Sequence, residues 1–271
     1  MKLGVLVQLR DLNIDERFRK VRELGFDYCQ FSCWNSNFFT DEVAEEINKA
    51  CKKYDIKIST FWCGWCAPSI WNFTEGPLTL GLVPVEYRHQ RMNELMRGSD
   101  FAKKLGVANM ATHVGFLPEN PSTTEYQSLV CAIRVVAQHC KENGQYFMFE
   151  TGQETPITLR RTIEDIGLDN LGINLDPANL LLYGKGNPVD ALGVFGEFVR
   201  DIHAKDGCYP TNGRELGEEK PLGEGMVNFP AFIKKLKEIG YDGHITIERE
   251  ISGEKQIEDI LAAKKILEEL I

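Results

Sequence analysis

Gln145-Tyr146-Phe147-Met148-Phe149-Glu150, a helical pattern over Pro156–Ile166, and Leu171-Gly172-Ile173-Asn174-Leu175-Asp176 read as strand, helix and strand, each strand closing on an acid. The pattern continues downstream, where Val199–Ile202 runs into His203 and His244–Ile247 runs into Glu248. Glu150 and Asp176 are 26 residues apart, Asp176 and His203 27, and His203 and Glu248 45, with a Gly/Pro/Glu-rich stretch near 205–225 inside the last interval. Taking out roughly 20 residues of loop restores a period of about 25 to 30, the length of a strand, a helix and two short connections. Each polar residue then stands at the C-terminal end of a strand. In a (β/α)8 barrel all such ends open on one mouth, where catalytic residues collect.

Eight strands are predicted on these grounds: Leu3–Gln8, Asp27–Ser32, Lys57–Trp62, Val107–His113, Tyr146–Glu150, Leu171–Asp176, Val199–His203 and His244–Glu248. Helical patterns alternate with them over Ile14–Leu24, Asp41–Tyr54, Glu86–Leu105, Thr123–Asn143, Pro156–Ile166, Val189–Phe198, Phe229–Ile239 and Ile257–Leu270. Stop signals such as Leu24-Gly25, Leu105-Gly106, Asn143-Gly144 and Ile239-Gly240, and start signals such as Thr40-Asp41 and Ser122-Thr123, punctuate the pattern. The expectation is an α/β fold, a single (β/α)8 TIM barrel spanning residues 1–271. The first turn, Gln8-Leu9-Arg10-Asp11, lacks the glycine signature of an open nucleotide-binding sheet. Gly184-Lys185-Gly186 and Gly223-Glu224-Gly225 read as turns rather than phosphate cradles. The connections at about 63–85 and 204–228 are long and Pro/Gly-rich, as lids or substrate walls would be.

With 43% apolar and 26% charged residues the composition is globular, and the net charge of −9 disfavours a nucleic-acid partner, whose phosphates call for a basic surface. No run approaches the roughly 18 apolar residues of a membrane span, and Met1–Leu6 enters a strand directly, so no membrane association and a cytoplasmic location are expected. Eight cysteines in 271 residues are too dilute for a disulfide scaffold and read as free thiols. Cys63-Gly64-Trp65-Cys66 has thioredoxin-like spacing but lies in the third βα connection, far from the first βαβ unit such a motif needs.

Ionised carboxylates converging on a barrel mouth repel one another unless protonated or bridged by a cation. Glu150, Asp176, His203 and Glu248 are therefore the candidate ligands of one divalent ion, and three oxygens with one imidazole suit Mn²⁺, Co²⁺, Mg²⁺ or Zn²⁺.

At this point the chain resembles, over its full length, the xylose-isomerase-like TIM barrels, which include sugar isomerases, ketose 3-epimerases, inosose dehydratases and endonuclease-IV-type enzymes. The resemblance rests on Phe149-Glu150, Asn174-Leu175-Asp176-Pro177-Ala178-Asn179, Ile202-His203-Ala204-Lys205-Asp206, Leu222 to Phe229, and Ile245-Thr246-Ile247-Glu248. It implies that the four candidate ligands share one ion and that Glu150 and Glu248 also exchange protons with substrate. Such an enzyme is a metal-dependent isomerase or epimerase of a keto-sugar or related polyol; proton return to the same carbon epimerises and return to its neighbour isomerises. A dehydratase or lyase on the same platform is the alternative, and a noncatalytic sugar-binding barrel a third reading. Where ketohexose 3-epimerases carry a glutamate, a histidine and an arginine beside the ligands, this chain has Pro156, Asn179 and Tyr209, which argues against a standard member of that branch. The third strand end reads Phe61-Trp62-Cys63 rather than offering the extra histidine of a three-metal nuclease.

Substrate contacts are assigned to His113, Asn179, Lys205, Trp34, Trp62 and Trp65. Lys205 is read as polarising a carbonyl or binding an anionic group, against a surface ion pair with Asp206. All four tryptophans, Trp34, Trp62, Trp65 and Trp71, follow or end strands two and three, so one sector of the mouth is expected to be aromatic, as a sugar wall, a packed lid or an oligomer contact would be. His244 is placed at the stability face, and His89 and His139 on solvated helices. Homo-oligomerisation enters by analogy alone.

Overall fold

The computed structural model describes residues 1–271. Eight parallel strands close on themselves: β1 (Lys2–Leu9), β2 (Tyr28–Cys33), β3 (Lys57–Cys63), β4 (Asn109–Thr112), β5 (Tyr146–Glu150), β6 (Leu171–Leu175), β7 (Val199–Ala204) and β10 (His244–Ile247), with β10 sealing the barrel against β1. Two short strands, β8 (Asp206–Gly207) and β9 (Glu219–Lys220), form an antiparallel pair in the long loop after β7. Ten helices fill the connections: α1 (Ile14–Glu23), α2 (Asp41–Tyr54), α3 (Gly76–Thr79), α4 (Val85–Lys104), α5 (Thr124–Glu142), α6 (Pro156–Ile166), α7 (Pro177–Leu182), α8 (Pro188–Phe195), α9 (Phe229–Glu238) and α10 (Glu254–Leu270).

The barrel and its eight principal helices follow the expected order. The ends differ: β4 stops at Thr112, leaving His113 just beyond it; Asp176 and Glu248 each stand one residue past their strands; His203 lies within β7. The predicted helix over Val189–Phe198 ends at Phe195 and tightens into a 3₁₀ turn at Gly196–Phe198. Helices α3 and α7 and the β8–β9 pair lie in stretches read as loop, because four, six and two residues are too few to show a periodicity.

Side chains alternate across each strand, and that alternation separates two cores. Phe31 and Phe61 face outward, where Phe18 of α1 and Phe101 of α4 meet them in a chain of ring contacts 5.6–6.4 Å apart. Each such fully buried ring contributes about 2 kcal/mol or more of apolar transfer. Gln30, Thr60, Trp62, Met148, Glu150, Asn174, Asp201, His203 and Thr246 are buried on the opposite parity, so the barrel interior is largely polar. The aliphatic layering common in such barrels is replaced here by hydrogen-bonding groups.

Two long loops are pinned from below. After β3, fully buried Arg91 donates to the carbonyls of Gly81 (2.7 Å), Pro68 (2.9 Å) and Cys66 (3.3 Å), and Arg88 donates to those of Leu82 (2.6 Å) and Val83 (2.7 Å). Gly81 has φ +67°, and a Cβ there would fall 1.9 Å from the Val114 carbonyl oxygen, so only glycine fits. After β7, the Asp206 carboxylate accepts from the backbone N–H groups of Gly207, Gly223, Gly225 and Val227 at 2.8–3.1 Å. The Gly223-Glu224-Gly225 pair thus wraps an acid of its own chain. No helix is long and apolar enough to cross a membrane.

Candidate metal and acid–base site

At the mouth, ligand atoms of Glu150, Asp176, His203 and Glu248 lie within 4.8 Å of one another. His203 Nδ1 is 3.0 Å from Glu150 Oε1, 3.0 Å from Glu248 Oε2 and 3.8 Å from Asp176 Oδ2. The strand register explains the convergence: β5 pairs Glu150 with Asn174, β7 follows β6, and β10 pairs Thr246 with His203, so the four side chains come from adjacent staves. Asp176 caps α7, its Oδ1 accepting from Asn179 N at 2.9 Å, and Thr151 Oγ1 fixes the Asp176 backbone through bonds of 2.8 Å to both its N–H and its carbonyl.

Asp176 Oδ2, His203 Nδ1 and Glu248 Oε2 are buried without hydrogen-bond partners. Buried polar atoms are rarely left so, and three aimed at one point define a cage of two oxygens and one nitrogen. Glu150 Oε1 adds a third oxygen. The residues fit a small divalent cation that takes mixed oxygen and imidazole ligands.

Electrostatics pull the group in opposite directions. Burial opposes ionisation of Asp176, but Lys205 and His203 outweigh it and hold the carboxyl at about 2. Burial likewise opposes the charge of Glu150, and His203 and His113 bring it below the ordinary range. At Glu248 burial prevails over Lys205 and His203, and the carboxyl is raised. Burial works against protonation of His203, yet Glu150 and Glu248 hold it well above the usual imidazole value.

Lys205 is 3% exposed. Its Nζ lies 2.9 Å from Glu250 Oε1, 3.4 Å from Asp176 Oδ2 and 3.6 Å from Glu248 Oε2, and donates to Asn179 Oδ1 at 3.2 Å. The surface pair with Asp206 does not form, because the backbone cradle already engages that acid. Asn179 is therefore tied to Lys205 and, through Nδ2, to the Thr151 carbonyl at 3.3 Å.

The aromatic sector forms on the opposite side. Trp62 Nε1 donates to Glu150 Oε2 at 2.5 Å. Trp34 stands 4.9 Å from Trp62, 5.1 Å from Trp65 and 6.1 Å from Trp71, and His113 packs on Trp62 and Trp71 at 5.5 and 5.0 Å. His113 Nε2 is 3.8 Å from Glu150 Oε1 and its Nδ1 has no partner. Burial holds the His113 ring below the usual imidazole value. Trp65 is buried with its face over Arg91, 5.4 Å away, one ring further from the acids. Cys63 and Cys66 are free, burial raising the former well above the ordinary thiol value and the latter to about 11, the reverse of a reactive pair. His244, at the other end of the barrel, packs against Tyr28 at 4.7 Å, as a structural residue would.

Two groups beside the acids escaped sequence reasoning. Gln30 on β2 and Asn174 on β6 are fully buried; Gln30 Nε2 donates to Asn174 Oδ1 at 2.9 Å, Asn174 Nδ2 donates to Glu150 Oε2 at 2.6 Å, and His203 Nε2 lies 2.8 Å from Gln30 Oε1. The only signal for them was a polar residue at an inward parity in each apolar strand.

Comparison with known proteins agrees with this architecture. An uncharacterized protein of Methanocaldococcus jannaschii is 38% identical over 100% of this chain and 89% of its own. The crystal structure of a xylose isomerase domain protein from Planctomyces limnophilus superposes with a TM-score of 0.94 at 34% identity, covering 99% of this chain and 96% of that one. A D-tagatose 3-epimerase-like protein superposes at 0.75 with 24% identity over 100% and 97%, a likeness of fold alone. An inosose dehydratase of Lacticaseibacillus casei is 24% identical over 53% of this chain and 54% of its own length. The family model described as xylose isomerase-like TIM barrel matches residues 18–270, and the chain belongs to that family.

Proposed function

We propose that residues 1–271 act as one catalytic unit, a divalent-metal-dependent isomerase or epimerase of a keto-sugar or related polyol. The observation that carries this reading is the pair of carboxylate oxygens, Glu150 Oε1 and Glu248 Oε2, each 3.0 Å from His203 Nδ1 and so flanking one point from two strands. Glu150, Asp176, His203 and Glu248 would hold the ion, whose chemistry when bound is to polarise a substrate carbonyl and acidify the neighbouring C–H.

The chain's own residues do the rest. Glu150 is the acid kept ionised and is placed to take a proton; Glu248 is the acid raised by burial and is placed to give one. Trp62 and Asn174 occupy Glu150 Oε2, so Oε1, the oxygen aimed into the cage, is the atom left to meet the ion and the substrate proton beside it. Lys205, buried beside Glu248 and Asp176, offers a positive charge to oxyanions of the substrate. Trp34, Trp62 and Trp71 present ring faces to the apolar side of a sugar, with His113 and Asn179 available to hydroxyls.

A second reading is dehydration, favoured by the raised Glu248 carboxyl beside Lys205. Glu150 takes the C–H proton, the adjacent C–O bond breaks, and the departing hydroxide takes a proton from Glu248 to leave as water. Metal-loaded protein incubated in D₂O with a panel of free and phosphorylated keto-sugars and inososes separates the two. Deuterium in an isomer of unchanged skeleton supports isomerisation or epimerisation, a product lighter by water supports the second reading, and absence of exchange across the panel rejects proton chemistry for these substrates.

A further inference from the structure

We propose that Gln30 and Asn174 act as positioning residues, a two-amide relay that fixes the His203 tautomer from the Glu150 carboxylate. The inference rests on the metal-binding reading above and concerns how the chain prepares its imidazole for that ion.

The logic begins at Glu150, because an ionised carboxylate only accepts hydrogen bonds. Oε2 lies 2.6 Å from one terminal atom of the Asn174 amide, so that atom is the NH₂ group; turned over, two acceptors would face each other. The Asn174 oxygen then faces Gln30 at 2.9 Å and demands a donor, which places the Gln30 NH₂ there and its oxygen on the other side. That oxygen sits 2.8 Å from His203 Nε2, closer than the Asn174 NH₂ at 3.1 Å. Because the Asn174 amide is already committed to Glu150 and Gln30, the shorter contact decides, and Nε2 carries the proton toward Gln30. Nδ1 is the nitrogen left among the three acids. The acceptor-only character of one metal ligand thus sets the tautomer of another through two amides.

Placement supports a dedicated role. Gln30 comes from β2, on the far side of the barrel from β6 and β7, and crosses the interior to reach them. Both amides are 0% exposed, where unpaired polar groups are costly, and their contacts to one another, to Glu150 and to His203 engage Gln30 at both ends and Asn174 at both terminal atoms. Groups that orient a ligating imidazole through its second nitrogen typically tune metal affinity 10- to 100-fold, roughly the range expected here.

The test uses full-length protein, Mn²⁺ titration by calorimetry, and ¹⁵N-histidine NMR of the Zn²⁺-loaded form, which reports the protonated nitrogen directly. Gln30→Met keeps the length of the side chain but can neither accept nor donate; it is expected to weaken Mn²⁺ binding at least about 10-fold and to remove the single Nε2–H signal of His203. Gln30→Glu keeps an acceptor toward His203 but loses the donor to Asn174 Oδ1; it is expected to restore the Nε2–H signal while leaving Mn²⁺ affinity below that of the wild-type protein. Thermal melting of both variants separates loss of fold from loss of the relay. If the wild-type protein takes up Mn²⁺ and Gln30→Met matches it in affinity and tautomer, the relay is wrong; if the wild-type protein takes up none, the metal reading itself falls.

Discussion

The two halves of the barrel mouth are built on opposite principles. From β2, β3 and the start of the β4 connection come Trp34, Trp62, Trp65, Trp71 and His113, rings in contact with rings. From β5, β6, β7 and β10 come Glu150, Asp176, His203, Lys205 and Glu248, charges held by charges. An apolar wall tolerates a range of geometries because dispersion falls off gently near contact. A buried charge cluster does not, since each member depends on the others for its protonation state and position. Losses in the charged half should therefore be large and those in the ring half graded.

The largest effect is expected at the acids. Glu150→Gln and Glu248→Gln should each lower solvent-proton exchange at least about 10²-fold with an accepted substrate, read alongside metal content so that a lost ion is not mistaken for a lost proton carrier. Full turnover in both variants with the ion retained would remove the acid–base assignment. Next comes Lys205→Met, which leaves Asp176 and Glu248 facing each other without their buried cation. Breaking such a pair costs about 3 kcal/mol or more, visible as a lower urea midpoint. A loss under about 1 kcal/mol would mean that the charges of this half are not mutually dependent.

A pH slope probes the edge of the charged half. Glu154, 4% exposed in the loop after β5, is pushed up to about 8, burial outweighing nearby backbone N–H groups and Lys185. Between the unfolded carboxyl value and about 8 the folded chain holds a proton that the unfolded chain has released. Its contribution is thus most favourable at acid pH, declines by up to about 1.4 kcal/mol per pH unit across that window, and is level above it. Glu154→Gln should flatten this component, so that the difference in melting temperature between variant and wild type grows from pH 5.5 to pH 8. Parallel profiles would show that Glu154 ionises normally.

The same contrast explains what the sequence disclosed. Strand order, helix order and the clustering of the four candidate ligands were legible because each apolar run carries its period and four successive runs close on a polar residue whose spacing repeats. The ring sector was legible because Trp34, Trp62, Trp65 and Trp71 fall within 38 residues of one another. Gln30 and Asn174 were not, because a single amide in an apolar strand is indistinguishable from an ordinary interior polar residue until strands 144 residues apart are brought together. Lys205 and Asp206 show a related limit: the sequence offers a site role for the lysine and an ion pair between the two neighbours side by side, and only the fold separates them, the turn at Gly223 and Gly225 claiming the acid and the barrel interior the lysine.

The smallest expected effect falls on the one residue that belongs to both halves. Trp62 packs its ring among Trp34 and His113 and gives its N–H to Glu150 Oε2, which also accepts from Asn174. Trp62→Phe keeps an aromatic ring and removes the donor, so Glu150 retains one of its two supports. A hydrogen bond to a charged acceptor is worth about 1.5 kcal/mol at the lower end of its range, which predicts a loss of roughly tenfold in proton exchange. Trp34→Phe removes ring area without touching the acids and should act on KM for the substrate. If Trp62→Phe also changes only KM, the aromatic half acts purely as a wall, and the contact to Glu150 does nothing to hold the base.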